Sequence, residues 1–103
     1  MAQGVDVVFD SIDDVGVTGA GTIGDSSAEQ LAGKTEKVLT SGITIKADGG
    51  NTDAIYVGFS NGVTSSTGYK LAAGDERPIP IRDMTKVWII GGAAGQAYSW
   101  LGI

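Results

Sequence analysis

Ile43-Thr44-Ile45-Lys46-Ala47, followed after a polar break by Ala54-Ile55-Tyr56-Val57-Gly58-Phe59, decides the fold class. In the first piece Ile43, Ile45 and Ala47 alternate with Thr44 and Lys46. This is the period of a strand with one buried and one wet face. In the second, Ile55, Val57 and Phe59 share one face, and Ala54, Tyr56 and Gly58 share the other. Asp48-Gly49-Gly50-Asn51-Thr52-Asp53 between them reads as a loop.

The β signal extends in both directions. Residues 34–40 read as a further strand, joined to Ile43 by the tight-turn pair Ser41-Gly42. Asn61-Gly62 predicts a type I′ hairpin turn, because both central residues of that turn need positive φ. Residues 64–71 return as a strand, broken or bulged near Gly68, and Ala73-Gly74-Asp75 turns again. In Arg77-Pro78-Ile79-Pro80-Ile81 the prolines recur at every second residue, so the missing donors all fall on one side. That pattern predicts an edge strand with its proline side unpaired. Asp83-Met84-Thr85 turns into residues 86–90, Gly91-Gly92-Ala93-Ala94-Gly95 is a flexible loop, and residues 96–103 close the fold. Seven or eight short strands with such turns predict a compact all-β domain, an antiparallel β-sandwich or barrel.

The chain changes character at Lys34. Residues 1–33 hold six acids (Asp6, Asp10, Asp13, Asp14, Asp25, Glu29), six glycines and no Lys or Arg. All seven bases and the other six acids lie from Lys34 onward, so −6 and +1 make the net −5. Residues 1–33 read as an extended, acidic, Gly-rich arm, and residues 34–103 as the sandwich domain. Within the arm, Val5-Asp6-Val7-Val8-Phe9 reads as a short strand, and Ala28-Glu29-Gln30-Leu31-Ala32 as one or two helical turns capped by Ser26 or Ser27. Val5, Val7, Val8, Phe9, Ile12, Val15, Val17, Ile23 and Leu31 are too many apolar groups for a purely solvated tail. An extended segment pairing with a neighbour satisfies both facts.

Composition narrows the function classes. With neither Cys nor His, the chain has no disulfide framework, no thiolate metal site and no histidine base. No metal or cofactor is expected. Scattered bases in an acidic chain argue against direct nucleic-acid contact, and no run approaches the ~20 apolar residues of a membrane helix. The start carries no signal-peptide pattern, which reads as synthesis in a cytoplasm. Gly19-Ala20-Gly21-Thr22-Ile23-Gly24 formally matches a dinucleotide fingerprint, but the acidic context and lack of a following βαβ unit favour a flexible arm. Asp48, Asn51 and Asp53 miss the calcium-loop spacing and read as a polar turn. Asp13-Asp14 are neighbours that point opposite ways in an extended chain. Tyr56, Tyr69, Trp88, Tyr98 and Trp100 are candidate interface aromatics, and the favoured reading for them is core or interface cover rather than a sugar-stacking platform.

Asn51-Thr52, Ile55-Tyr56-Val57-Gly58, Val63-Thr64 with Gly68, Leu71 with Gly74, Asp83 ahead of Lys86-Val87-Trp88, and the closing Gly95-Gln96-Ala97-Tyr98-Ser99-Trp100-Leu101-Gly102 together resemble small β-sandwich structural proteins of tailed bacteriophages. The resemblance covers about 60 residues from Ile43 on and excludes the arm. It implies a non-enzymatic capsid decoration (cement) protein on the virion head surface. Such a protein would be a homo-oligomer, dimer or trimer, bound to the major capsid protein. The arm would then supply the capsid contact, through Val5, Val7, Phe9, Ile12, Val15 and Val17 with Asp10, Asp13 and Asp14 facing basic groups. The alternative is a tail or head-fibre module that binds host-surface glycan through exposed Trp and Tyr. A small hydrolase is the weakest reading.

Overall fold

Alternation in the sequence becomes two facing antiparallel sheets in the computed structural model, which describes residues 17–31, 39 and 41–103. Eight strands are present: β1 (Val17–Ile23), β2 (Glu29–Gln30), β3 (Ile43–Ala47), β4 (Ile55–Gly58), β5 (Tyr69–Leu71), β6 (Glu76–Ile79), β7 (Trp88–Gly91) and β8 (Gln96–Gly102). One sheet has the order β1-β8-β3-β6 and the other β2-β7-β4-β5. The first strand pairs the last, the second the seventh, the third the sixth and the fourth the fifth. This is a ribbon folded back on itself and rolled up, and β3–β8 and β4–β7 are the pairs that the rolling adds. It is the strand order of a jelly roll.

The core lies between the sheets. Ile43, Ile45 and Ala47 of β3 meet Ile55 and Val57 of β4, Leu71 of β5 and Ile89 of β7, with Ile23, Leu31, Leu39, Met84 and Val87 closing the ends. Each fully buried aliphatic side chain contributes roughly 1.5–3 kcal/mol. Ala54, Val63 and Ile90 are also buried but lie outside that cluster. Ile90 is opposite Tyr56 on the outer face of the second sheet. Val63 packs close beneath Gly58 and Gly68, so the 59–68 connection shields a satellite cluster.

Hydrogen-bond parity fixes what each edge presents. Gly42 and Ile103 exchange both backbone bonds, at 3.2 and 3.0 Å, and Asp48 N–H donates to Ala97 at 3.1 Å. Ala97, Ser99 and Leu101 therefore bond toward β3, and Gln96, Tyr98, Trp100 and Gly102 bond toward β1. On the far side of β3, Ala47 N–H donates to Asp75 at 2.8 Å. Arg77 and Ile79 thus face β3, while Pro78 turns its donorless nitrogen outward. The proline-marked edge strand is where the sequence placed it.

Five expectations change or fall outside the described residues. Lys34 is a charge boundary and not a structural one, because β1 and β2 precede it and Ile23 and Leu31 are core residues. The segment 17–23 pairs with β8 of its own chain. The helical turns expected over 28–32 are replaced by β2, where Leu31 N–H donates to Val87 at 2.8 Å and Gln30 Nε2 donates to the Thr85 carbonyl at 2.9 Å. Asn61-Gly62 sits inside a turn closed by Val63 N–H to Ser60 at 3.2 Å, but neither residue has positive φ, so it is not a type I′ hairpin. Burying Val63 wins over the two-residue turn. Of the strand expected over 34–40, only Leu39 is described; its N–H donates to Arg82 at 2.8 Å.

Gly42 has φ +105°, and a Cβ there would press on the Ile79 carbonyl oxygen. Gly42→Ala should cost about 2 kcal/mol or more in denaturant unfolding, whereas Gly49→Ala, with open space around it, should cost under about 1. Equal costs would contradict the assigned turn. Asp83 caps the 3-10 turn Met84–Lys86, accepting from the Thr85 hydroxyl at 2.6 Å and the Thr85 N–H at 2.9 Å. These bonds, hydroxyl first, hold its carboxyl below the usual range. A depressed folded value means that the cap is at full strength above the unfolded pKa of about 3.9 and weakens as pH falls through the folded value. Thr85→Val should move the Asp83 titration upward in carboxyl NMR; an unmoved titration would remove the cap assignment.

Candidate interaction surfaces

The five aromatic residues separate by sheet face. Tyr98 and Trp100 point inward from β8, opposite Ala47 and Ile45, and pack on the core cluster. Across the strand pair they face Gly21 and Gly19. The Trp100 ring occupies the space above Gly19, where a Cβ would come within 2.5 Å of it, and the Tyr98 hydroxyl end lies 3.0 Å from the same point on Gly21. Burial, with the Glu29 carboxylate as the smaller cause, pushes the Tyr98 hydroxyl above the usual tyrosine range. These two rings are therefore structural and do not form an exposed stacking platform. Tyr56 and Trp88 lie half-buried on the outer face of the second sheet, around Ile90. Tyr69 is 53% exposed.

Tyr69, one of the candidate interface aromatics, lies beside Phe59 and Arg77, a grouping the sequence did not reveal. β5 and β6 are the edges of the two sheets on one flank. Arg77 reaches from β6 over the Tyr69 ring, with its guanidinium carbon 5.2 Å from the ring centre. At an exposed site this geometry contributes about 0.5–1 kcal/mol. Val57, Phe59, Tyr69, Arg77, Pro78, Ile79 and Pro80 line a cleft there of about 240 Å³. That is below the roughly 300–1,000 Å³ of small-molecule sites, and Arg77 is its one charged lining residue. The cleft suits a single apolar side chain from another molecule. Phe59 continues the inward alternation of Ile55 and Val57, but it lies past the end of β4 and is 62% exposed. Sharing a face with Ile55 and Val57 therefore does not make it a core residue.

Val17 opens β1, opposite Gly102, and packs against the core. Val5, Val7, Phe9, Asp10, Ile12, Asp13, Asp14 and Val15 lie outside the described residues. The glycine run from Gly19 forms most of an edge strand and makes no phosphate loop. Asn51 and Asp53 serve the fold. Asn51 donates to the Ala97 carbonyl at 2.9 Å and accepts from the Ala97 N–H at 2.7 Å. Asp53 accepts from the Ala54 N–H at 2.7 Å. Gln96, 2% exposed, accepts from the Asp53 N–H at 2.8 Å and donates to Thr52 and Ala94, both at 3.2 Å. The 48–54 loop is thereby pinned to β8. Among the described residues no group of three metal-ligating side chains is present.

No family model, curated protein or solved structure matches the chain.

The inward and outward aromatics should respond oppositely to truncation. Trp100→Ala should destabilise by about 3 kcal/mol, as for a large packed ring. Phe59→Ala should stay within about 0.5–1 kcal/mol of the parent. Thermal and denaturant unfolding of the two variants would test this, and a neutral Trp100→Ala would place that ring outside the core.

Proposed function

We propose that the chain is a non-enzymatic virion structural protein, a decoration or cement protein. It would bind the major capsid protein on the head surface and stabilise the expanded shell. The observation that carries this reading is the junction at Val17. A segment of sixteen residues with Asp6, Asp10, Asp13, Asp14 and no base, yet with Val5, Val7, Val8, Phe9, Ile12 and Val15, leads directly into an edge strand of a small sandwich. An apolar, one-signed segment of that kind is suited to an extended contact on a larger protein. Strand addition would supply affinity, and the carboxylates would steer and register the contact. The resemblance carried by the residues from Ile43 on points the same way; those residues fall in β4, β5, β7, β8 and the connections between them. Jelly-roll strand order occurs in viral capsid proteins as well as lectins, which supports the reading by analogy of fold alone.

The glycan-binding alternative finds support in a different place from the one the sequence indicated. Trp100 faces the core, whereas Phe59 and Tyr69 are exposed beside Arg77. The scarcity of polar groups in that cleft weighs against a sugar, which needs several directed hydrogen bonds.

The test uses the full chain and expanded capsids that lack it. Val7→Ser, Phe9→Ser and Ile12→Ser together should abolish co-sedimentation with capsids and leave the melting temperature unchanged. Tyr69→Ala should leave capsid binding intact. Parent-like binding by the triple variant would defeat the proposed contact segment, and loss of binding with Tyr69→Ala would shift the reading to the flank cleft.

A further inference from the structure

Among the described residues the two sheets have four edges, and three are poor templates for another strand. β2 has two residues, β5 has three, and β6 turns Pro78 outward. β1 is different. It has seven residues, no proline and no charge, and among the described residues β8 is the one strand paired with it. Its β8-facing backbone groups belong to Val17, Gly19, Gly21 and Ile23, whose partners are Gly102, Trp100, Tyr98 and Gln96. Consistent with this, the Ile23 carbonyl also accepts from Gly95 N–H at 3.0 Å. The N–H and C=O groups of Thr18, Ala20 and Thr22 therefore point away from the sheet. Proteins ordinarily blunt such an edge.

The sequence of β1 identifies what fits there. Val17-Thr18-Gly19-Ala20-Gly21-Thr22-Ile23 reads almost the same in both directions, with Val and Ile exchanged at the ends. An antiparallel partner of identical sequence, centred on Ala20, places Ala20 opposite Ala20, Thr18 opposite Thr22 and Gly19 opposite Gly21. Val17 then meets Ile23. We infer that β1 is a self-pairing edge, and that two copies of the chain join there about a two-fold axis into a continuous eight-stranded sheet.

The chemistry agrees at each position. Thr18, Ala20 and Thr22 form the hydrogen-bonded pairs, each exchanging two N–H···O=C bonds. Thr18 and Thr22 face each other on the outer surface, a favourable cross-strand pair. The seven paired residues carry no charge, and the acids that flank them in sequence, Asp14 and Asp25, lie outside the paired stretch. The glycines are already shielded on their inner side by Trp100 and Tyr98, so the edge is stiffened before it pairs. The contact is isologous and closes at two copies. It also places the two Val17 residues at opposite ends of the shared strand pair. The interface stands independently of the capsid reading.

Sedimentation equilibrium of the full chain should show a dimer. Ala20→Pro takes a donor from the outer edge without touching the β8 ladder, and should weaken dimerisation at least about tenfold. Ala20 is exposed, so its charged variants should fold. Ala20→Lys alone and Ala20→Glu alone should be monomeric, since each sets a like-charged pair at the axis, and an equimolar mixture should dimerise. The mixture separates lost pairing from lost folding. A monomeric or trimeric parent would overturn the inference, as would parent-like self-association of either charged variant alone.

Discussion

Two glycines beneath two rings hold the architecture together. Gly19 and Gly21 let Trp100 and Tyr98 lie across β1, and that contact fixes the register between the first and last strands. Aromatic cover of edge glycines compensates for the low strand propensity of glycine. Once β1 is set, Ile23 enters the core and Gly24 accepts from Gly91 N–H at 2.8 Å. β2 can then cross to the opposite sheet. The pairing of first strand with last also closes the rolled ribbon, so this interaction converts a set of hairpins into a two-layer domain.

The same contact explains why part of the fold was hidden in the sequence. β3 and β4 were legible because alternation is local: Ile43, Ile45, Ile55 and Val57 declare their faces within a few residues. The edge position of β6 was legible because proline removes a donor wherever it stands. β1 was not legible, because its stabilising partners lie about eighty residues downstream and glycine locally argues against a strand. Charge misled in a related way. The absence of Lys and Arg before position 34 describes a surface, and surfaces do not mark where a core begins.

Site residues were legible to a different degree. Aromatic type drew attention to Tyr98 and Trp100, but burial decided their role as packing groups. The exposed pair, Phe59 and Tyr69, is defined by the meeting of two sheet edges. Only the sheet order brings Tyr69 to Arg77. Asn51 and Gln96 act together for a similar reason: their side chains complete backbone hydrogen bonding between a loop and a strand more than forty residues apart. A functional reading therefore rests less on any single motif than on what the topology leaves at its margins. Among the described residues those margins are a blocked edge at β6 and an edge at β1 with β8 as its one partner, and in the sequence an acidic, apolar stretch precedes Val17.

The central claim is that the glycine-rich segment from Val17 to Ile23 is an integral strand of the sandwich. Amide hydrogen exchange followed by NMR tests it most directly. The account predicts that the Gly19, Gly21 and Ile23 amides, which donate to β8, exchange as slowly as those of Ile45 and Ile89. Exchange of these three within seconds, while β3 and β7 stay protected, would contradict it.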